Sequence, residues 1–220
     1  MRTRTDNYEI VDNFNEITEL LFGENAKPLA EDEFYFLQIL VRGKDGNHVS
    51  GNNKNRLVKY YTIYKREQLF DLKYEIEMIC LATNGRAYIH PTRRNAKEVA
   101  NITLELTAHT YVSQNWVGLR GTYSTACGKS LVTSDKKFIV DLDGMKPGDE
   151  RYEEIKSFIR TLRGRGKPSE RIVGEIETMN GYHLITEPFD TKVFGDRYPD
   201  IDVHKNNPTL LYYRKPITEQ

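Results

Sequence analysis

Residues 136–148 read KKFIVDLDGMKPG. Apolar residues Phe138 to Val140 run straight into two aspartates spaced by one residue, Asp141 and Asp143, and a glycine follows. In a strand, alternate side chains share a face. Phe138, Val140 and Leu142 would then enter a core, leaving Ile139, Asp141 and Asp143 on the other side. Two carboxylates that close repel each other and favour protonation of one, unless a cation sits between them. Hard oxygen ligands suit Mg²⁺ or Mn²⁺. A strand that merely ends in a polar turn reads the same way, so the pair gains meaning only from its surroundings.

Downstream, DERYEEIKSFIRTL (149–162) places Tyr152, Ile155, Ile159 and Leu162 at helical 3-4-3 spacing. A basic loop, RGRGKPSER (163–171), follows. IVGEIETMNGYHLIT (172–186) reads as a hairpin, because Asn180-Gly181 suits the positive φ angles of a type I′ turn. That turn would pair Met179 with Tyr182 and set Thr178 opposite His183, so Thr178, Gly181 and His183 form a small polar patch. TLLYYR (209–214) is a last strand.

Upstream, FNEITELLFG (14–23) is a short helix stopped by glycine, and EFYFLQILVRG (33–43) and RLVKYYTIY (56–64) are strands joined by a polar, glycine-bearing loop. KREQLFDLKYEIEMIC (65–80) is an amphipathic helix on Leu69, Leu72, Ile76 and Ile79. RAYIHP (86–91) is a strand cut off by proline, and Asn95 caps a helix carrying Val99, Ile102 and Leu106 on one face. Strand, helix, hairpin and later strand predict an α+β fold, with an antiparallel or mixed sheet and flanking helices. All 220 residues can form one compact domain, with possible lobes at 1–116 and 134–220 joined through Trp116 to Thr133.

With 32 basic and 32 acidic residues, no global field draws the chain to nucleic acid or a membrane. Cys80 and Cys127 lie far apart without a CxxC, which argues against a disulfide framework or zinc knuckle and for a reducing cytoplasm. Neither a signal peptide nor a run of 18 apolar residues is found, so no membrane partner is expected.

The order of acidic strand, helix, basic loop and hairpin with small-x-His resembles the catalytic core of archaeo-eukaryotic primases and primase-polymerases. The matching residues are Val140-Asp141-Leu142-Asp143, Gly181-Tyr182-His183 and an acid within PDIDVHKNNPTLLYY (199–213); Gly181 stands where serine is more usual. The resemblance covers about Lys65 to Tyr213 and implies an RRM-like catalytic core with an N-terminal α/β lobe. It implies that Asp141, Asp143 and a third acid bind two divalent ions, Mg²⁺ or Mn²⁺. The third acid is Asp200 by its spacing to Val203, or Asp202 by the apolar residue before it; Asp200 ranks first. It also implies that His183 holds a nucleoside triphosphate, helped by Thr178 and Lys205. Arg165 and Lys167 of the basic loop would contact the nucleotide, and Arg93, Arg94 and Arg163 a primed or single-stranded DNA template. A helicase or accessory primase subunit would be a natural partner.

Two other readings compete. FIVDLDGMK with GDRYPD (195–200) resembles a haloacid-dehalogenase-type phosphatase, in which Asp141 is the nucleophile, Asp143 the acid/base, and Asp196 and Asp200 hold Mg²⁺. Met145 in place of threonine and the short interval between the motifs count against it. A non-catalytic RRM-like module would instead use Tyr182, Tyr212 and Tyr213 to stack bases. GTYSTACGKS (121–130) ends like a P-loop, but six residues separate its glycines where four are required.

Overall fold

The computed structural model of the chain describes residues 2–4, 8–45 and 55–216. Most of the polar loop expected after Arg42, residues 46–54, lies outside these. The elements run β1 (Arg2–Arg4), β2 (Tyr8–Asp12), α1 (Phe14–Phe22), β3 (Glu33–Arg42), β4 (Asn55–Ile63), α2 (Arg66–Thr83), β5 (Arg86–Ile89) and β6 (Arg94–Asn95). They continue α3 (Ala96–Val112), α4 (Thr122–Lys129), β7 (Phe138–Asp143), α5 (Glu150–Thr161), β8 (Ile172–Glu177), β9 (Gly181–Thr186), α6 (Thr191–Arg197), β10 (Asp202–His204) and β11 (Thr209–Pro216). The fold is α+β, and every paired strand is antiparallel to its neighbour. None of the described helices is long and apolar enough to cross a membrane.

Strands β1-β2-β11-β5-β3-β4 form the first sheet, in that order, with β6 appended to β3. The second has the order β10-β7-β9-β8. In the second, β7-α5-β8 and β9-α6-β10 are two β-α-β units, each leaving room for one strand of the other between its own.

Side-chain alternation decides which face each layer covers. On β7, Phe138, Val140 and Leu142 are buried with Tyr152, Ile155 and Ile159 of α5 and Phe194 of α6. Ile139, from the opposite face, joins Phe14, Leu37, Ile76 and Leu211 in the core between the sheets, under α1 and α2. Phe34 and Phe36, on the other face of β3, pack with Val99 of α3 and Cys127 of α4. The expected helix at 95 is capped as predicted, Asn95 Oδ1 accepting from the Glu98 amide at 3.1 Å. The P-loop-like segment is α4.

Two expectations change. Residues 116–133 do lead from the first sheet to the second, yet β11 returns to the first sheet between β2 and β5, so the boundary near 134 does not divide the sheets. The hairpin forms, but its closing pair is Thr178 and Gly181, the Thr178 amide donating to the Gly181 carbonyl at 2.8 Å. Its central residues are Met179 and Asn180, and neither has positive φ. Thr178 Oγ1 accepts from the Gly181 amide at 3.1 Å and takes over the work of closing the turn. His183 therefore faces Ile176, and Tyr182 faces Glu177. The slip is two residues, so every side chain keeps its expected face.

Gly181 is placed by contact. A Cβ there would collide with the Leu142 carbonyl oxygen and press on Asp143 Cα at 3.0 Å. Glycine fits this contact and a larger residue does not. Gly181→Ser should cost about 1–3 kcal/mol, read as a lower urea midpoint with an unchanged m-value; an unshifted midpoint would show that β7 yields freely.

Candidate active site

Register assembles the site. Asp141 of β7 lies directly across from Asp202 of β10 on one side and His183 of β9 on the other. Asp143, two residues on, shares their face and pairs with Gly181. His183 Nε2 is 3.6 Å from Asp141 Oδ1, and His204 Nε2 is 4.0 Å from Asp141 Oδ2. The other ring nitrogen of His183 sits 2.9 Å from Thr209 Oγ1, which fixes the ring plane. These groups close one end of a groove of about 380 Å³ whose floor is the face of the first sheet carrying Gln38, Arg42, Arg86 and Tyr88. Arg42 donates to the Tyr88 hydroxyl at 3.0 Å, and Arg86 forks onto Asp45 with bonds of 2.8 and 2.5 Å. Carboxylates thus face guanidinium groups across the groove.

Burial first, and then the neighbouring His204, push the His183 imidazole down to about 4. His183 is therefore neutral at pH 7. His90 is also held well below the usual histidine range, by burial and then by Arg94, whose Nη2 donates to its Nδ1 at 2.6 Å. Unfolded, both histidines take a proton near pH 6.5; folded, they refuse it until the pH is lower. Stability is therefore intact above pH 6.5 and falls as pH drops through the window toward 4. Denaturant unfolding at pH 7 and 5, without divalent cations, should show this loss, and His90→Gln should flatten it. Equal stability at both pH values would refute the assignment.

The expected site residues divide. Asp141, Asp143, Thr178 and His183 line the groove, and Asp202 adjoins Asp141. Asp200, ranked first as third ligand, does not: it is paired with Arg151 of α5 at 2.6 Å, outside the strand register. Lys205 lies over the Phe138 ring at 5.7 Å, on the face of β7 opposite the aspartates. Arg93 is held by Glu33 at 2.9 Å and Asp135 at 3.0 Å, and Arg94 donates to the Ser130 carbonyl and Asn206. Both are buried and structural. Arg165, with Arg93, borders a separate cavity of about 940 Å³ beside α1 and β8. Lys167 pairs with Glu170, and Arg163 is exposed in the same loop. Tyr212 and Tyr213 are buried, which removes two of the three aromatics a base-stacking sheet would need.

His204, Arg42 and Arg86 were not anticipated. The alternation Asp202-Val203-His204 carries the signal for His204 once the strand is placed there. No local pattern marks the two arginines, which reach the groove only through pairing of β3 with β5.

Among the described residues, no group of three or more His, Cys, Asp or Glu is already drawn together as a metal site. In kind, carboxylate oxygens, the donors suit a hard cation. Asp141 and Asp202 are like charges on directly opposed strand positions, a costly pairing that a cation relieves, and Asp143 offers further oxygens. No family model, curated protein or solved structure matches the chain.

Proposed function

We propose that the protein is a nucleotidyltransferase of the primase-polymerase type, extending a primer on a DNA template in the groove between its two sheets. One observation carries the reading: strand register sets Asp202 beside Asp141, with Asp143 on the same face and His183 alongside. The interleaved β-α-β units of the second sheet, in the order β10-β7-β9-β8, support an RRM-like core for that site.

Asp141, Asp143 and Asp202 would hold Mg²⁺ or Mn²⁺, which supplies charge neutralisation and in-line alignment for phosphoryl transfer when bound. Asp202 takes the role first given to Asp200. Neutral His183, oriented by Thr209, offers Nε2 toward an incoming triphosphate without adding a charge of its own. Arg42 faces the carboxylates and suits the polyphosphate or the strand backbone, because guanidinium forks match phosphate geometry; Arg86, whose fork is held by Asp45, shapes the wall beside it. The phosphatase reading is second, since β7 is antiparallel to both its neighbours and Asp200 is occupied by Arg151.

Primer extension tests the proposal, using a labelled primer-template, each nucleotide pool and Mg²⁺ or Mn²⁺. Metal-dependent extension that Asp141→Asn abolishes supports it. Phosphate release from a generic phosphoester without extension would sink it.

A further inference from the structure

Between Glu105 and Asp135 the chain carries no acidic residue, although 32 of its 220 residues are acidic. The stretch contains His109, Arg120 and Lys129, all exposed. It also contains a run of solvent-facing apolar groups: Tyr111 is 70% exposed, Trp116 57% and Leu119 43%. Tyr111 and Trp116 meet edge to face, with ring centroids 5.8 Å apart. Exposed aromatics of this size are costly for a surface that meets only water, and the stretch itself contributes no carboxylate to repel a polyanion; Glu98 of α3 reaches only its far end, accepting from Ser130 Oγ at 2.9 Å.

The helix that follows the patch, α4, adjoins the groove. Asn206 of the β10–β11 turn donates to the Gly128 carbonyl in α4 at 2.7 Å, and the next two residues of that turn, Asn207 and Pro208, line the groove. On its other side α4 is tied to the sheet by Tyr123, which stacks on Tyr60 at 5.3 Å. α4, which follows the aromatic patch in the chain, is thus fixed at the groove's rim.

We infer that the end of α3 and the segment leading into α4 form a docking platform for single-stranded DNA, with bases stacking on Tyr111 and Trp116 and the backbone running past Arg120 and Lys129. Stacking tolerates any base while cations track the backbone, a combination that binds a strand without reading its sequence. The choice of a DNA strand rests on the nucleotidyl-transfer reading, since a template must enter the groove from one side.

Trp116 is the single tryptophan of the chain, so its fluorescence reports this surface alone. Titration with a dT20 oligonucleotide at low salt should quench it, and affinity should fall with added salt at a log–log slope of roughly −1 to −2. Tyr111→Ala and Trp116→Ala should weaken binding of a labelled dT20, followed by anisotropy, roughly tenfold or more. Trp116→Phe should bind nearly as wild type, and all three variants should melt as wild type because the residues are exposed. Asp141→Asn should quench like wild type, which separates this platform from the catalytic proposal. Three results would overturn the inference: anisotropy binding with unquenched Trp116, no binding at low salt, or emission that tracks protein concentration alone, which would mark a contact between copies.

Discussion

Asp202→Asn is expected to lower metal-dependent primer extension by roughly 10²–10³-fold, the usual cost of removing one preorganised electrostatic group at a reacting centre. Asp200→Asn should leave extension within about twofold, the range of surface changes remote from the chemistry. The contrast follows from register. Asp202 shares a cross-strand pair with Asp141, whereas Asp200 precedes the strand and is bonded to Arg151. Asparagine keeps Asp202's size and its strand position, so folding is preserved and melting should not change. Both variants should be assayed across a Mg²⁺ and Mn²⁺ titration. If Asp200→Asn is the inactive one, the ligand set proposed here is wrong and β10 must shift before catalysis.

The second large effect is on stability. Arg93→Ala should cost about 3–5 kcal/mol, because it strips the guanidinium from Glu33 and Asp135 and leaves two carboxylates in a poorly hydrated site. The arginine side chain is 7% exposed, and its partners 13% and 10%. Lys137 also contacts Asp135, at 3.1 Å, and would be left to balance the cluster alone. At about 2–4 °C per kcal/mol for a chain of this size, the melting temperature should fall by roughly 6–20 °C. Arg163→Ala, an exposed loop change, serves as the neutral control. A drop under about 1 kcal/mol for Arg93→Ala would mean that water reaches the cluster and screens it.

These cases show what the sequence made legible. Elements with strong periodicity were readable: Leu69 and Ile76 of α2, Tyr152, Ile155 and Ile159 of α5, and the alternation of β7 all bury the face their spacing predicts. Asp141, Asp143 and His183 were readable because each sits in a short local pattern, an alternating strand for the aspartates and a β8–β9 hairpin for the histidine. The third acid was not, since Asp200 and Asp202 differ only in whether the chain has already become a strand. That boundary is set by where Tyr198 and Ile201 bury, a matter of packing. Arg93 and Arg94 looked like groove cations because charge in sequence says nothing about which buried acceptors wait nearby, the carboxylates of Glu33 and Asp135 for one and the Ser130 carbonyl and Asn206 for the other. Lys205 failed for a similar reason: in the turn after β10 its ammonium found an aromatic ring on the far face.

The position of β11 has a consequence for how the chain comes together. Among the described strands it alone joins the β1–β2 edge to β5 and β3, and residues 90–208 intervene between β5 and β11 in the chain. Closing so long an excursion by random search is entropically costly. The inserted unit shortens it, because β7 and β10, near its two ends, pair with each other and hold Ile139 opposite His204. Once that unit has formed, the excursion shortens to residues 90–138, much of it already helical in α3 and α4, and the brief turn 205–208. The strands that carry the candidate ligands are therefore also the clasp that delivers the middle strand of the other sheet, and catalytic geometry and assembly of the whole protein draw on the same few backbone hydrogen bonds.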